Sequence, residues 1–201
     1  MFSLLLAVAG TVALGVCVFC LIALHIVPTK VQPVRDPVSL YGTTRYSLLY
    51  RVQVVAAGIC ALCLLVALEG QQIAVPVVGL VMLGCYGVAR LIIAAFMMDR
   101  PGEERTRTGQ AHWLLAIVAF TAIAVAVGTI TPRIVSSVLW HQLQLFLFLA
   151  DYVTIISALL FIAVRLMPVL RRLTGLIERG IYLGSLCWLG LMIIPLIHSK
   201  S

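Results

Sequence analysis

Two ionisable side chains interrupt long apolar runs and are the first candidates for chemistry. Arg90 lies in the run that ends near Met97, and Asp151 lies in the middle of the run 138–166. A charged residue inside a membrane span costs about 2.5–3.5 kcal/mol even on the milder insertion scale, so it usually faces a protein interior or a polar cavity. We therefore expect Arg90 and Asp151 to share one polar interior, coupled as an ion pair or through water. The alternatives are snorkelling of Arg90 to the headgroups and hydrogen bonding of Asp151 to a Gln or Thr.

Three polar neighbours extend this predicted interior. Tyr86 precedes Arg90 by one helical turn and falls on the same face. His141 and Gln144 fall close to the helical stripe that carries Asp151. The candidate ligand-binding cavity therefore consists of Arg90, Asp151, Gln144, Tyr86 and His141.

A second candidate set lies around the most charged loop of the chain. Asp99 and His112 flank this loop, and His25 ends the first apolar run on the same side. One Asp and two His could form a metal site or an acid–base set at the cytoplasmic mouth of the bundle. Their spacing is not that of a known metal motif, so we predict no metal and no cofactor.

Two CxxC pairs are the third candidate. Cys17 with Cys20, and Cys60 with Cys63, could in principle hold zinc or an iron–sulfur cluster. Both pairs lie in the middle of apolar segments without a basic neighbour that would favour the thiolate. Cysteine also behaves as a small apolar residue, so helix packing is the favoured interpretation.

Composition indicates that the elements carrying these residues lie in a membrane. The chain of 201 residues is 63% hydrophobic and 10% charged, whereas soluble domains are roughly 45–50% apolar and about 25% charged. The net charge of +7 comes from residues in short loops rather than from one patch. We therefore expect membrane lipids as partners and no nucleic acid, with other membrane subunits or a homo-oligomer left open. One domain, 1–201, is expected.

Six segments are long and apolar enough to span a bilayer as helices of about 20 residues. Helix is the expected structure because backbone polar groups in lipid must be paired within the segment. The first run is too long for a signal peptide, so we interpret it as a retained span. The predicted fold is an all-α polytopic bundle with six transmembrane helices. The predicted spans are 2–26, 48–69, 73–97, 113–131, 138–166 and 180–198.

The basic residues predict the orientation. The segments after the first, third and fifth predicted spans are here called loops one, three and five. Eleven of the fourteen lysines and arginines lie in these loops or at the adjoining span ends. The positive-inside rule places these loops in the cytoplasm and both termini outside, in the inner (plasma) membrane.

Short motifs in loops one and three carry a family resemblance. They are DPVSLYGTTRYSLLYR, then R-x8-D-R-P-G, then T-x-x-G-Q-A-H before an alanine-rich span. The chain resembles the bacterial integral-membrane family of domain of unknown function 998 (DUF998). The resemblance implies about six spans and an Asp-x-Pro-Gly turn before a Gly-x-x-His segment that opens span four, but no particular activity. The matching positions are Asp99, Pro101, Gly102, Gly109 and His112.

These observations favour a protein that binds or transports a lipid or small molecule through a polar intramembrane cavity. The alternatives are a structural subunit of a membrane complex and, less favoured, a membrane-embedded hydrolase that uses Asp99, His112 and His25. No GxSxG or HExxH motif supports the hydrolase, so the sequence leaves enzymatic activity undecided.

Overall fold

The computed structural model describes residues 2–71, 73–100 and 102–198. Regular structure in these ranges is helical, without strands, as predicted for an all-α bundle. The α-helices are α1 (Phe2–Ile26), α2 (Ser47–Glu69), α3 (Val77–Ile93), α4 (Arg107–Ile134), α5 (Gln144–Leu166) and α6 (Thr174–His198).

Helix length and hydropathy agree with a membrane bundle. Five of the helices are long and apolar enough to cross a membrane, and α3 is a shorter apolar helix. With 17 residues, α3 is about 26 Å long and stands at the lower limit for a span. It is shorter than the predicted span 73–97 because Pro76 stands at its N-cap. Proline disfavours helical geometry in the residue before it, so the helix cannot begin earlier.

Three other boundaries differ from the prediction. Helices α4 and α6 begin six residues before the apolar runs at 113 and 180, at Arg107 and Thr174. The helix α5 begins at Gln144 rather than near 138, after the short 3-10 turn His141–Leu143. This turn follows Trp140, which is fully buried and donates from Nε1 to the Met192 carbonyl at 3.3 Å. Because this turn buries the indole, residues 138–143 do not form the first part of the predicted helix.

The helices form a closed ring in which each packs against its neighbours in sequence. The ring closes where α6 packs against α1, and α6 also contacts α2 and α4. Close approach of α5 and α6 depends on Gly184, where an added Cβ would overlap Thr154 and the Ala150 carbonyl. Small residues permit such approach between membrane helices, where van der Waals packing drives association.

The cysteines of the two CxxC pairs take part in packing. Cys17, Cys20 and Cys60 are buried, Cys63 is half-buried, and all four are free thiols. Among the described residues, no group of three or more His, Cys, Asp or Glu side chains is arranged to hold a metal ion.

Loops one, three and five lie together at one end of the bundle, which we call the basic end. Arg179, near the start of α6, donates from Nη1 to the carbonyls of Pro33 at 2.6 Å and Asp36 at 2.9 Å. Arg100 in loop three donates to the Thr43 carbonyl in loop one at 2.9 Å. These bonds connect loop one to both other loops.

Candidate functional site

Arg90 lies inside the bundle and does not snorkel. Its side chain is 2% exposed. Nη1 donates to the Tyr182 hydroxyl at 3.0 Å, and Nη2 donates to Gln53 Oε1 at 3.3 Å. Within the described part of the chain, Nε has no hydrogen-bond partner. The guanidinium therefore links α3 to α2 and α6.

Aromatic side chains surround this guanidinium. Its Cζ lies 5.0 Å from the centre of the Tyr182 ring, within range of a cation–π interaction. Tyr50 and Tyr86 are also buried. Gln53 donates in turn to the Cys17 sulfur at 3.3 Å. Arg90 therefore belongs to a polar cluster with Tyr182, Gln53 and Cys17.

Asp151 belongs to a different cluster. Its carboxylate is 4% exposed and accepts a hydrogen bond from Thr131 Oγ1 at 3.0 Å. Thr131 Oγ1 in turn accepts from Trp188 Nε1 at 2.8 Å. The chain Trp188–Thr131–Asp151 thus connects α6, α4 and α5, and it is the Asp–Thr alternative considered from the sequence.

Of the two forms of coupling expected between Arg90 and Asp151, the direct ion pair is not present among the described residues. Arg90 bonds to Tyr182, whereas Asp151 bonds to Thr131, which in turn bonds to Trp188. Tyr182 and Trp188 are six residues apart on α6, which corresponds to about 9 Å along the helix axis.

His141 and Gln144 do not join Asp151 either. Both side chains are exposed. His141 lies in the 3-10 turn before α5, so the helical stripe projected through Asp151 does not extend to it. Gln144 is the first residue of α5, about 10 Å along the axis from Asp151. The five residues predicted for one cavity are therefore distributed over three places.

The motif around loop three closes that loop onto α4. Asp99 accepts hydrogen bonds from the backbone N–H of Thr106 at 3.1 Å and from its hydroxyl at 2.6 Å. Thr106 caps α4, since its Oγ1 accepts from the Gly109 N–H at 3.0 Å. A Cβ at Gly109 would overlap the Asp99 carboxylate. Gly102 has a φ of +90°, which glycine adopts readily. Pro101 lies outside the described residues.

His112 and His25 have separate partners. His112 is buried, and its Nδ1 donates to the Phe96 carbonyl at 2.9 Å. His25 accepts at Nε2 from Arg179 Nε at 2.8 Å, and its ring contacts Tyr41. Of the three residues predicted at the mouth, the structure thus brings Asp99 and His112 to one loop and places His25 with Arg179.

A cavity of about 400 Å³ opens at the basic end between loops one and three and helices α4, α5 and α6. Its rim carries charged side chains, and its inner wall carries aromatic ones. Asp99 and His112 both line it. Its other lining residues include Ser39, Arg100, Glu103, Arg105, Trp113, Ala116, Phe120, Phe161 and Glu178.

Sequence reasoning missed Glu178. This residue lines the cavity, is 3% exposed, and accepts a hydrogen bond from the Val38 N–H at 2.9 Å. The sequence places it in loop five, because span six is predicted to begin only at 180. The available signal was its position between Ile177 and Ile181, on an apolar stripe. Gln53, the partner of Arg90, was missed as well, although it interrupts the apolar run of α2.

These features define an integral membrane protein, an all-α polytopic helix bundle with a cavity at one end that has a charged rim and an aromatic inner wall. The sequence profile of the family described as Protein of unknown function (DUF998) matches residues 11–194. The chain therefore belongs to this family, and the resemblance inferred from its loop motifs is confirmed. Searches of the curated proteins and of the solved structures find no match to the chain.

Proposed function

We propose that this protein binds a membrane lipid, or a similar amphipathic molecule, in the cavity at the basic end. The observation that supports the proposal is the composition of that cavity. Charged residues of loop three lie at its rim, whereas Trp113, Phe120 and Phe161 form an apolar wall. A ligand with a polar headgroup and an apolar chain matches both parts of this lining.

The size of the cavity supports the same conclusion. Small-molecule sites in proteins usually have volumes of roughly 300–1,000 Å³ and combine apolar walls with a few polar groups. A cavity of about 400 Å³ accommodates a headgroup and the first part of an acyl chain.

Binding is better supported than passage across the bilayer. A polar route from the cavity to the Arg90 cluster would have to pass Phe120, which lines the cavity and packs against Tyr182. The ring centre of Phe120 lies 5.0 Å from that of Phe161 and 6.2 Å from that of Tyr182, with edge-to-face geometry in both contacts. These rings lie between the cavity and the Arg90 guanidinium, to which the Tyr182 hydroxyl is bonded. Transport would therefore require these rings to move.

The hydrolase alternative has less support. Its three candidate groups do not converge, because His25 is bonded to Arg179 and Asp99 is bonded to Thr106. Acid–base catalysis requires groups within hydrogen-bond reach of the same reacting atoms.

We also infer that the basic end faces the cytoplasm. Eleven of the fourteen lysines and arginines lie in or beside loops one, three and five. The contacts of Arg179 and Arg100 with loop one support placing these loops at one end. The positive-inside rule then assigns that end to the cytoplasmic side, with both termini outside.

A cavity-filling substitution tests the binding proposal. Ala116→Trp places a large ring against the cavity wall, whereas Val118→Trp adds the same ring on the outer face of α4, where Val118 is 42% exposed. Native mass spectrometry of the purified protein should show at least a tenfold weaker association with added phospholipid for Ala116→Trp. Val118→Trp should bind as the unmodified protein does. Equal lipid binding by both variants, with equal thermal stability, would exclude this cavity as the site.

A further inference from the structure

The cavity contains a buried carboxylate without a paired cation. Glu178 accepts a hydrogen bond from the backbone N–H of Val38 at 2.9 Å. No ion pair of Glu178 occurs among the residues that the structure describes. This N–H partner leaves lone pairs of the carboxylate available, because an ionised carboxylate accepts about four hydrogen bonds. A cationic group in the cavity would supply the missing counter-charge.

The two nearest guanidinium groups are directed to other partners. Arg90 and Arg179 both interact with Glu178 electrostatically. Arg90, however, donates to Tyr182 and Gln53, and Arg179 donates to His25 and to main-chain carbonyls. Neither occupies the cavity side of Glu178, since neither lines the cavity.

The aromatic wall provides a second interaction for a cation. Trp113, Phe120 and Phe161 line the same cavity as Glu178. The face of an aromatic ring attracts ammonium groups, and the combination of aromatic rings with a carboxylate suits both primary and quaternary ammonium ligands. A headgroup without a cation would gain no cation–π interaction from this wall, and an anionic group would be repelled by Glu178.

The rim supplies the complementary charge. Arg100 and Arg105 line the cavity from loop three and are exposed. Arg100 uses one donor on the Thr43 carbonyl, and a guanidinium has five. Arginine is well suited to phosphate, because its planar fork can donate two parallel hydrogen bonds. A headgroup that carries both a phosphate and an ammonium group therefore matches the rim and the buried carboxylate together.

We propose that the ligand of this cavity is a zwitterionic phospholipid with an ammonium headgroup, and that Glu178 binds the ammonium group. This inference rests on the proposed lipid binding and specifies its ligand class. The same headgroup chemistry also occurs in free phosphoethanolamine, so the test includes it as a separate arm.

The test compares Glu178→Gln with the control Glu104→Gln, because Glu104 is exposed in loop three and does not line the cavity. Glutamine keeps an oxygen that accepts from the Val38 N–H, so the contact with loop one is retained while the charge is lost. Native mass spectrometry would measure binding of phosphatidylethanolamine, phosphatidylcholine and phosphatidylglycerol with identical acyl chains. We expect the unmodified protein and Glu104→Gln to bind one or both ammonium lipids at least tenfold more tightly than phosphatidylglycerol. Glu178→Gln should lose that preference.

The outcomes separate the two proposals. A preference that persists in Glu178→Gln, or binding of all three lipids with equal affinity by the unmodified protein, would overturn the ammonium assignment while leaving lipid binding intact. Absence of binding by any lipid would overturn the proposed function itself. Displacement of the lipid by free phosphoethanolamine at similar concentration would support ammonium recognition and identify the soluble headgroup as sufficient.

Fluorescence gives a second measurement that does not depend on the folding of Glu178→Gln. Trp113 lines the cavity, whereas Trp140 and Trp188 are fully buried. In the unmodified protein, phosphatidylethanolamine with brominated chains should quench tryptophan emission at lower concentration than brominated phosphatidylglycerol. Trp113→Phe should remove this difference. Equal quenching by both lipids would overturn the proposal.

Discussion

Tyr182→Phe is the substitution that tests the Arg90 cluster most directly. It removes the hydroxyl that accepts from Arg90 Nη1 at 3.0 Å and keeps the ring that lies 5.0 Å from the guanidinium. Hydrogen bonds to charged groups contribute about 1.5–3 kcal/mol, and a buried donor without a partner loses that amount. Because Nε of Arg90 already lacks a partner in the described structure, a second unpaired donor on the same group should be costly. We expect a loss of about 1.5–3 kcal/mol in the free energy of unfolding.

A double-mutant cycle assigns this loss to the contact rather than to the ring. Arg90→Met removes the cation and leaves the Tyr182 and Gln53 oxygens without their donor. Adding Tyr182→Phe to Arg90→Met should then cost much less than Tyr182→Phe alone. The coupling free energy should be about 1.5–3 kcal/mol, measured by reversible unfolding in mixed detergent micelles. Additivity of the two substitutions would refute the inferred contact.

Asp151 provides the matched control for this cycle. Asp151 bonds to Thr131, and Thr131 bonds to Trp188. Among the described residues, neither partner is hydrogen-bonded to the Arg90 cluster. Substitutions at sites more than about 7–10 Å apart, without shared partners, add within about 0.3–0.5 kcal/mol. Arg90→Met and Asp151→Asn should therefore be additive. A coupling above about 1 kcal/mol would show that water or a ligand connects the two clusters.

Three further predictions concern packing and orientation. Replacing the four CxxC cysteines by alanine should leave the folded bundle intact, because these thiols pack between helices. Elemental analysis should find no stoichiometric metal in the purified protein. Metal that is bound to the native protein and lost in the variant would contradict this prediction. Gly109→Ala should lower the melting temperature, because the new methyl group overlaps the Asp99 carboxylate. The control Gly15→Ala should not, because no atom of another helix or loop lies within 4 Å of the added methyl group. Equal melting temperatures would argue against the contact between Asp99 and the start of α4. A membrane-impermeant thiol reagent applied to a variant without native cysteines should label Glu69→Cys from outside the cell and not Glu104→Cys, and the reverse pattern would invert the proposed orientation.

The sequence by itself determined the number and nature of the helices. In lipid, backbone N–H and C=O groups can form hydrogen bonds only within their own helix. Each long apolar run therefore had to form a helix regardless of its neighbours. The same local information indicated which loops belong together, because alternating spans return every second loop to one end. The helix boundaries shifted by up to six residues at Thr174, because polar first turns extend beyond the apolar run and hydropathy does not detect them.

The loop-three motif was also visible in the sequence, although its role was not. The spacing from Asp99 to Thr106 and Gly109 is local, and the structure uses it for a helix cap. Whether such a motif caps a helix or performs chemistry depends on which groups face it from elsewhere in the fold. Here His25 lies with Arg179 rather than with Asp99.

Only the tertiary structure decided the partners of the buried charges. Hydropathy marks Arg90 and Asp151 as unusual, but it contains no information on the rotation of one helix against another or on their relative depth. These were set by non-local packing, such as the close approach of α5 and α6 at Gly184 and of loop one to the start of α6 at Gly175. That packing directed Arg90 to Tyr182, Asp151 to Thr131, and Glu178 into the cavity beneath loop one. A buried polar group pairs with whatever donor or acceptor the packed helices bring within about 3 Å, and that neighbour is chosen by the whole bundle.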